Sequence, residues 1–421
     1  VRIELPFGPG SMPVDIPDAN LGEIVRPHPV SPAPDWRPIL TEALANPIGS
    51  PRLESLLKPG QKVAILIDDS TRTTPVDVIL PMLLAAIHDA GIPRDAVSIV
   101  IALGTHRPMT AAEINQKVGR EIAETYRIVN TNSRQPEHFV LMGESSSGIP
   151  ARVNKAVAEA DVRIGLGQIL PHLDAGFSGG AKIVLPGVCS RETVESFHQK
   201  ELYLNSNQLG QVDSPVRTDI EQFVDDCVPL HFIVNVVMTA DHKPYKAVAG
   251  HFIAAHREGV RACQEVYGVP VKRKYPIVIA SAYPKDMDLW QTTTIMWSGP
   301  LMLEPGGTLI MLSHASDRHS AYPDFPIRIG TDPDVQLGQI ERGELHEPIS
   351  AIMATMIGRF LHTYRFALVS EGLTDQDAAQ MGFDYFSSLN NALKAALEHH
   401  GSDASVGIMT QGSVTFPMLE H

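Results

Sequence analysis

Cysteine is scarce in this chain: Cys189, Cys227 and Cys263 are the three among 421 residues. None stands in a CxxC pair and none has zinc spacing. A disulfide framework and a cysteine zinc site are therefore excluded, and a reducing cytoplasm is the expected compartment. Each is expected as small apolar core filler. Positive charge is also short. Lys and Arg total 34 against 48 Asp and Glu, a formal net charge of −14. Without a basic stripe to neutralise phosphates, a nucleic-acid partner is excluded, and adhesion to an anionic membrane has no basis. A small anionic substrate stays open, because a few local cations decide that. No apolar run reaches the roughly 18 residues of a membrane span. The opening Val1-Arg2-Ile3-Glu4-Leu5-Pro6 lacks the apolar core of a signal peptide. Internal repeats and low-complexity tracts are missing too.

What is present is a soluble, globular composition, 43% apolar and 19% charged. The length calls for two domains. Residues 1–51 are proline-rich and read as an irregular lead-in with a short strand at Arg2–Leu5. An α/β pattern follows. Lys62–Ile67 is a buried strand ending in Asp68-Asp69. Pro75 opens a helix that runs through Leu80, Leu83, Leu84 and Ile87 to Gly91. Val97–Ala102 is a second strand, and Thr110 with Glu113 forms a capping box for the next helix. Arg163–Ile169 and Phe232–Met238 are further strands. A domain boundary is expected near Val271–Lys274, after which the pattern restarts with strands at Pro276–Ala280, Thr308–Leu312, Arg365–Val369 and Val406–Met409. The expected fold class is α/β, in two domains, 1–272 and 273–421. Each has a mostly parallel sheet flanked by helices, with the active site in the cleft between them.

The polar clusters fall at the carboxyl ends of predicted strands, where open α/β sheets bind ligands. The first is Asp69-Ser70-Thr71-Arg72-Thr73-Thr74, leading into a helix start suited to an anion. Arg72 can clamp a carboxylate or phosphate with two parallel hydrogen bonds. The second is Gly104-Thr105-His106-Arg107, where His106 stands ready for proton transfer. The third is Pro171-His172-Leu173-Asp174-Ala175-Gly176-Phe177-Ser178-Gly179-Gly180-Ala181-Lys182. Its glycines permit close backbone approach. Its lysine can neutralise a phosphate or attack a carbonyl. His106 and His172 are expected on adjacent strand ends, facing one cavity. His198 lies in the helical segment Arg191–Lys200 without an HxxxH or HExxH partner, so a metal site built from protein ligands alone is not expected. Each loop also has a plain structural explanation, as helix caps, turns and surface cations.

Together these loops resemble the LarA family, the nickel-pincer-nucleotide lactate racemases and their homologues. The resemblance rests on Asp69-Ser70-Thr71-Arg72, Gly104-Thr105-His106-Arg107, the segment from Pro171 to Lys182, His198, and the segment from Tyr283-Pro284 to Gln291. It implies an isomerase that inverts C2 of a 2-hydroxy acid. It implies nickel, held by a pyridinium-3,5-bisthiocarboxylic acid mononucleotide that is joined covalently to Lys182. His198 is then the protein's nickel ligand, and His106 and His172 are the acid–base pair. Arg72 holds the substrate carboxylate. Asp69, Thr71, Ser178, Gly179, Gly180 and Gln291 lie at the cofactor. The resemblance further implies cofactor-synthesis proteins as partners. Inversion would proceed by hydride transfer from C2 to the cofactor and back to the opposite face, with a histidine serving each side.

One departure stands out. Lactate-active relatives carry a lysine three residues after the helix glutamine, and Thr294 occupies that place after Gln291. The missing cation and the neighbouring Trp290 favour an acid larger than lactate, with Trp290 and Thr294 at the substrate. Lactate itself remains an alternative. So do a phosphate- or nucleotide-binding protein without catalysis and a Schiff-base enzyme with pyridoxal phosphate on Lys182.

Overall fold

The computed structural model describes residues 1–204, 207–319, 322–345 and 348–420. The chain divides into two compact units: Pro29–Glu201 with Gly210–Val266, and Val1–His28 with Leu202–Leu209 and Tyr267–His421.

The first unit is built on a six-stranded sheet. Its order is Pro244–Gly250, Phe232–Met238, Val162–Gln168, Val63–Asp68, Val97–Ala102, Arg127–Val129. All neighbours are parallel except the Pro244–Gly250 edge, which returns antiparallel to Phe232–Met238. Every residue of the Val63–Asp68, Val162–Gln168 and Phe232–Met238 strands is buried. That is the signature of strands covered on both faces, and it explains their near-continuous apolar runs. Ile65, Ile67, Ile99, Ile101, Ile164 and Val234 pack with Leu40 of helix Trp36–Ala45 and Ile79, Leu80 and Leu83 of helix Val76–Asp89. The expected capping box is present: Thr110 and Glu113 exchange hydrogen bonds at the start of helix Ala111–Val118.

The second unit has six parallel strands in the order Asp384–Tyr385, Arg365–Ser370, Leu303–Ser313, Tyr275–Ser281, Val406–Met409, Leu21–Val25. Its edge strand comes from the N-terminal lead-in. Residues 1–51 are thus not irregular. They form the hairpin Arg2–Phe7/Gly10–Asp15, the strand Leu21–Val25 and the helix Trp36–Ala45. Leu5, Phe7, Val14 and Ile16 alternate along the hairpin and enter the second unit's core with Ile277, Ile310 and Ile408. Pro6 and Pro13 hide that alternation in the sequence, yet a two-stranded edge hairpin tolerates them. A single cut near residue 272 therefore misses that Val1–His28 belong with the later half of the chain.

All three cysteines are buried and unpaired with one another. Burial pushes the Cys189 and Cys263 thiols up, away from reactivity. Among the described residues no helix is long and apolar enough to cross a membrane.

Candidate active site

Three neighbouring parallel strands deliver the three polar loops to one edge of the first unit's sheet. Val63–Asp68 is central. Val97–Ala102 flanks it on one side and Val162–Gln168 on the other. The loop carrying Arg72 leaves the central strand, the loop carrying His106 leaves one neighbour, and the loop carrying His172 leaves the other. The two histidines are therefore not on adjacent strands, as the sequence led us to expect. They are separated by the strand of Arg72, and parallel strands about 5 Å apart put their two strands on the order of 10 Å from each other.

Asp69 and His106 are bonded directly. His106 Nδ1 lies 2.6 Å from Asp69 Oδ2. The Asp69 side chain is 5% exposed and that of His106 50%. Asp69 Oδ1 accepts the Thr71 N–H at 3.0 Å and the Thr71 hydroxyl at 2.5 Å. Burial alone would raise the Asp69 carboxyl. The hydrogen bond and charge of His106, with the two Thr71 donors, outweigh it and hold the group at about 2. Arg72 Nη1 donates to Thr71 Oγ1 at 2.9 Å. Below this loop, buried Lys117 lies 2.7 Å from Asp68 Oδ1 and donates to the Arg72 carbonyl at 2.8 Å. Thr74 also donates to Asp68. A helix lysine thus braces the backbone from which Arg72 projects. Thr73 Oγ1 donates to Gln168 Oε1 at 3.0 Å and lies 3.4 Å from His242 Nδ1, so the ends of three strands meet there.

The glycine loop is shaped from beneath. Arg217 is fully buried in helix Pro215–Cys227. Its guanidinium donates to the carbonyls of Ala175, Phe177 and Gly179. Burial lowers Arg217 to about 10, with Glu221 opposing and Arg257 adding to the fall, so it stays charged at neutral pH. His256, also fully buried, meets the Ser178 carbonyl at 2.9 Å. Asn235 Oδ1 accepts the Gly180 N–H at 2.8 Å. Gly179 and Gly180 both have positive φ, 78° and 59°. A Cβ on Gly180 would lie 3.0 Å from the His256 ring, and one on Gly179 would lie 2.8 Å from Ile169. The glycines are thus required by packing on the protein's own side. The Ser178 N–H goes to Leu170 O, and its hydroxyl bridges Gln168 O and Leu170 N. Lys182 follows in the short 3-10 turn Gly180–Ile183, and His198 lies in helix Arg191–Glu201.

In the second unit, Trp290 and Gln291 lie in the short helix Leu289–Thr292, capped by Asp288, and Thr294 follows. Trp290 packs on Tyr322 and Phe325 with ring centroids 4.6 and 5.0 Å away. The Thr294 hydroxyl donates to Gln291 O at 2.7 Å and that of Thr293 to Trp290 O at 2.8 Å. Their protons are spent on the helix end, which leaves each oxygen as an acceptor.

The Lactate racemase N-terminal domain matches residues 7–210, and the Lactate racemase C-terminal domain matches residues 271–416. The chain belongs to the lactate racemase family. It is similar to the lactate racemase of Thermoanaerobacterium thermosaccharolyticum, 30% identical over 98% of both chains. It is likewise similar to that of Lactiplantibacillus plantarum, 31% identical over 98% of both. Its structure resembles the lactate racemase apoprotein from T. thermosaccharolyticum with a TM-score of 0.90, 30% identity and full coverage of both chains. A Thermotoga maritima protein shares the fold at a TM-score of 0.63 and 20% identity, over 89% of this chain and all of that one. Membership makes the chain an isomerase.

Among the described residues no three His, Cys, Asp or Glu side chains gather to hold a metal. In this lactate racemase family member, a metal would need a group that brings most of its own donor atoms. Sequence reasoning passed over Lys117, Gln168, Arg217, Asn235, His242 and His256. Asn235 had a visible signal, a lone polar residue inside the apolar run Phe232–Met238.

Proposed function

We propose that the chain inverts the configuration at C2 of a 2-hydroxy acid whose side chain is larger than the methyl of lactate. The observation that carries this reading is the strand order: Arg72 on the central strand's loop, His106 and His172 on the strands to either side. A carboxylate held at Arg72 by two charge-assisted hydrogen bonds leaves C2 between the histidines. Inversion needs proton transfer at the hydroxyl on each face, and one histidine per face meets that need. His106 accepts a hydroxyl proton with Asp69 behind it to balance the charge, and His172 serves the opposite face.

Lys182 and His198 are proposed to hold a nickel-pincer nucleotide, Lys182 as covalent tether and His198 as nickel ligand. When bound, such a group supplies a reversible acceptor for the C2 hydride. Asp69, Thr71, the Ser178–Gly180 turn and Gln291 are its proposed surroundings. For the turn, this means close approach of a backbone without side chains, since the Ser178 and Gly180 N–H groups are engaged within the protein. Loading then depends on cofactor-synthesis proteins. Trp290 and Thr294 are proposed to select the substrate. Thr294 brings no cation, and its hydroxyl proton is committed to Gln291 O, so an apolar or hydroxylated side chain fits better than a second carboxylate.

The test is chiral analysis of single enantiomers of lactate and of longer 2-hydroxy acids, with protein made in a host that loads the cofactor. Racemisation, faster for a longer acid, is expected. A preference for lactate over every longer acid removes the size assignment. Inactivity with all of them, on protein whose intact mass shows the Lys182 adduct, removes the proposed function.

A further inference from the structure

The two histidines differ in what binds their Nδ1 atoms. At His106, Nδ1 faces a carboxylate: Asp69 Oδ2 at 2.6 Å. An ionised carboxylate only accepts, so the proton of that hydrogen bond belongs to Nδ1 of the ring. At His172, Nδ1 faces donors: the Asp174 N–H at 3.2 Å and the Ala175 N–H at 3.5 Å. A backbone N–H only donates, so Nδ1 of that ring carries the lone pair. The nitrogen left over in each ring is then determined by its partner.

We propose that Asp69 and the backbone N–H groups of Asp174 and Ala175 hold the two histidines in opposite neutral tautomers: His106 with its proton on Nδ1 and a lone pair on Nε2, His172 with its proton on Nε2. Asp69 is thus a positioning residue, acting through His106. The pair is chemically unequal although the reaction it is proposed to serve has mirror-image ends. His106 Nε2 takes a proton while Nδ1–H stays on Asp69, and the imidazolium is balanced by that carboxylate. His172 takes a second proton only if its Nδ1 exchanges the Asp174 N–H for an acceptor, which requires the loop or the ring to move. The inference rests on the proposed function only for the use of these protons; the tautomers themselves belong to the folded chain.

The Asp69→Asn variant makes a sharp test. The Thr71 N–H is a fixed donor and holds the amide oxygen of the asparagine where Oδ1 of Asp69 now lies. The amide NH2 then faces His106 Nδ1 and donates to it, which forces the proton to Nε2. The experiment is long-range proton–nitrogen correlation of the full chain, labelled with 15N-histidine and free of nickel and cofactor. His106→Gln and His172→Gln supply assignments, and the pH is raised until both rings are neutral. His106 is expected as the Nδ1–H form and His172 as the Nε2–H form. Asp69→Asn is expected to convert His106 alone to Nε2–H. An Nε2–H form of His106 in the unaltered chain overturns the proposal, and so does an Nδ1–H form of His172. If Asp69→Asn does not fold, the two wild-type spectra still decide. This readout needs no activity, so failure of the proposed function and failure of the tautomer assignment remain separate results.

Discussion

His256 Nε2 lies 2.9 Å from the carbonyl oxygen of Ser178, inside a fully buried site beneath the glycine loop. Arg257 Nη1 lies 3.1 Å from the ring's other nitrogen and, as a donor, leaves Nε2 to carry the proton that binds Ser178. Burial pushes this imidazole well below 6.5, and the Arg217 charge adds to the fall; the Ser178 hydrogen bond opposes it, and Arg257 lowers it further. The folded chain therefore keeps His256 neutral while the unfolded chain takes up a proton below 6.5. Stability from this site is complete above that pH and falls as pH drops, by about 1.4 kcal/mol per unit. His256→Gln keeps a donor for Ser178 and removes the titration. Urea midpoints at about pH 7.5 and about pH 5.5 should differ less in His256→Gln than in the unaltered chain. An unchanged difference would mean that this imidazole does charge in the folded state.

Arg217 should be the costliest single loss in the loop's support. Arg217→Met leaves three buried carbonyls without their donor and removes a buried charge beside Glu221, which keeps its pair with Arg257. A destabilisation of about 3–5 kcal/mol is expected, the range for breaking a buried charged network. Denaturant unfolding measures it. Hydrogen exchange at residues 175–180 should accelerate in the same variant. A loss under about 1 kcal/mol would show that water replaces the guanidinium.

Acid lability at Asp69 has a defined window. Its folded carboxyl stands at about 2 against an ordinary 3.8. A depressed carboxyl contributes stability that is present above the ordinary value and lost as pH falls through the folded one. The gap corresponds to about 2 kcal/mol. The stability difference between the unaltered chain and Asp69→Asn should be full above about pH 4 and vanish towards pH 2. A difference that persists at the acid end would assign the loss to something other than the carboxylate charge.

How much of this was legible beforehand follows from sequence distance. The loops of Asp69, His106 and His172 were legible because strand, turn and helix signals adjoin them in the chain. The strands themselves appeared as the apolar runs around Ile65, Ile99 and Leu166. The sheet order was not legible, and with it went the position of Arg72 between the histidines. Arg217 and His256 reach the glycine loop from 35 residues or more beyond Lys182, and no local period marks either as its support. The lead-in's part in the second unit was hidden because Leu21–Val25 pairs with Val406–Met409, nearly the whole chain away.

The histidines should be separable from the fold. His106 is half exposed but bonded to buried Asp69, so His106→Gln, whose amide can keep the hydrogen bond but not the imidazole's charge, is expected to fold and to lose no more than about 2 kcal/mol. Turnover should fall by about 10²–10⁴ for His106→Gln and for His172→Gln alike. A variant with turnover intact would lose its place in proton transfer.

The proposed tether at Lys182 can be tested without turnover. Protein from a cofactor-loading host should show added mass that Lys182→Ala abolishes. His198→Ala should keep that mass and lose nickel by elemental analysis. Full nickel occupancy in folded His198→Ala would contradict its role as ligand.

The most direct measurement follows one enantiomer of a C2-deuterated 2-hydroxy acid through the loaded protein, by chiral separation and mass analysis. The account predicts that the opposite enantiomer accumulates with its deuterium still on C2, because the hydrogen crosses faces without passing through water. Inversion accompanied by wash-out of deuterium into solvent would contradict hydride transfer, and no inversion of any 2-hydroxy acid by protein carrying the adduct would contradict the account as a whole.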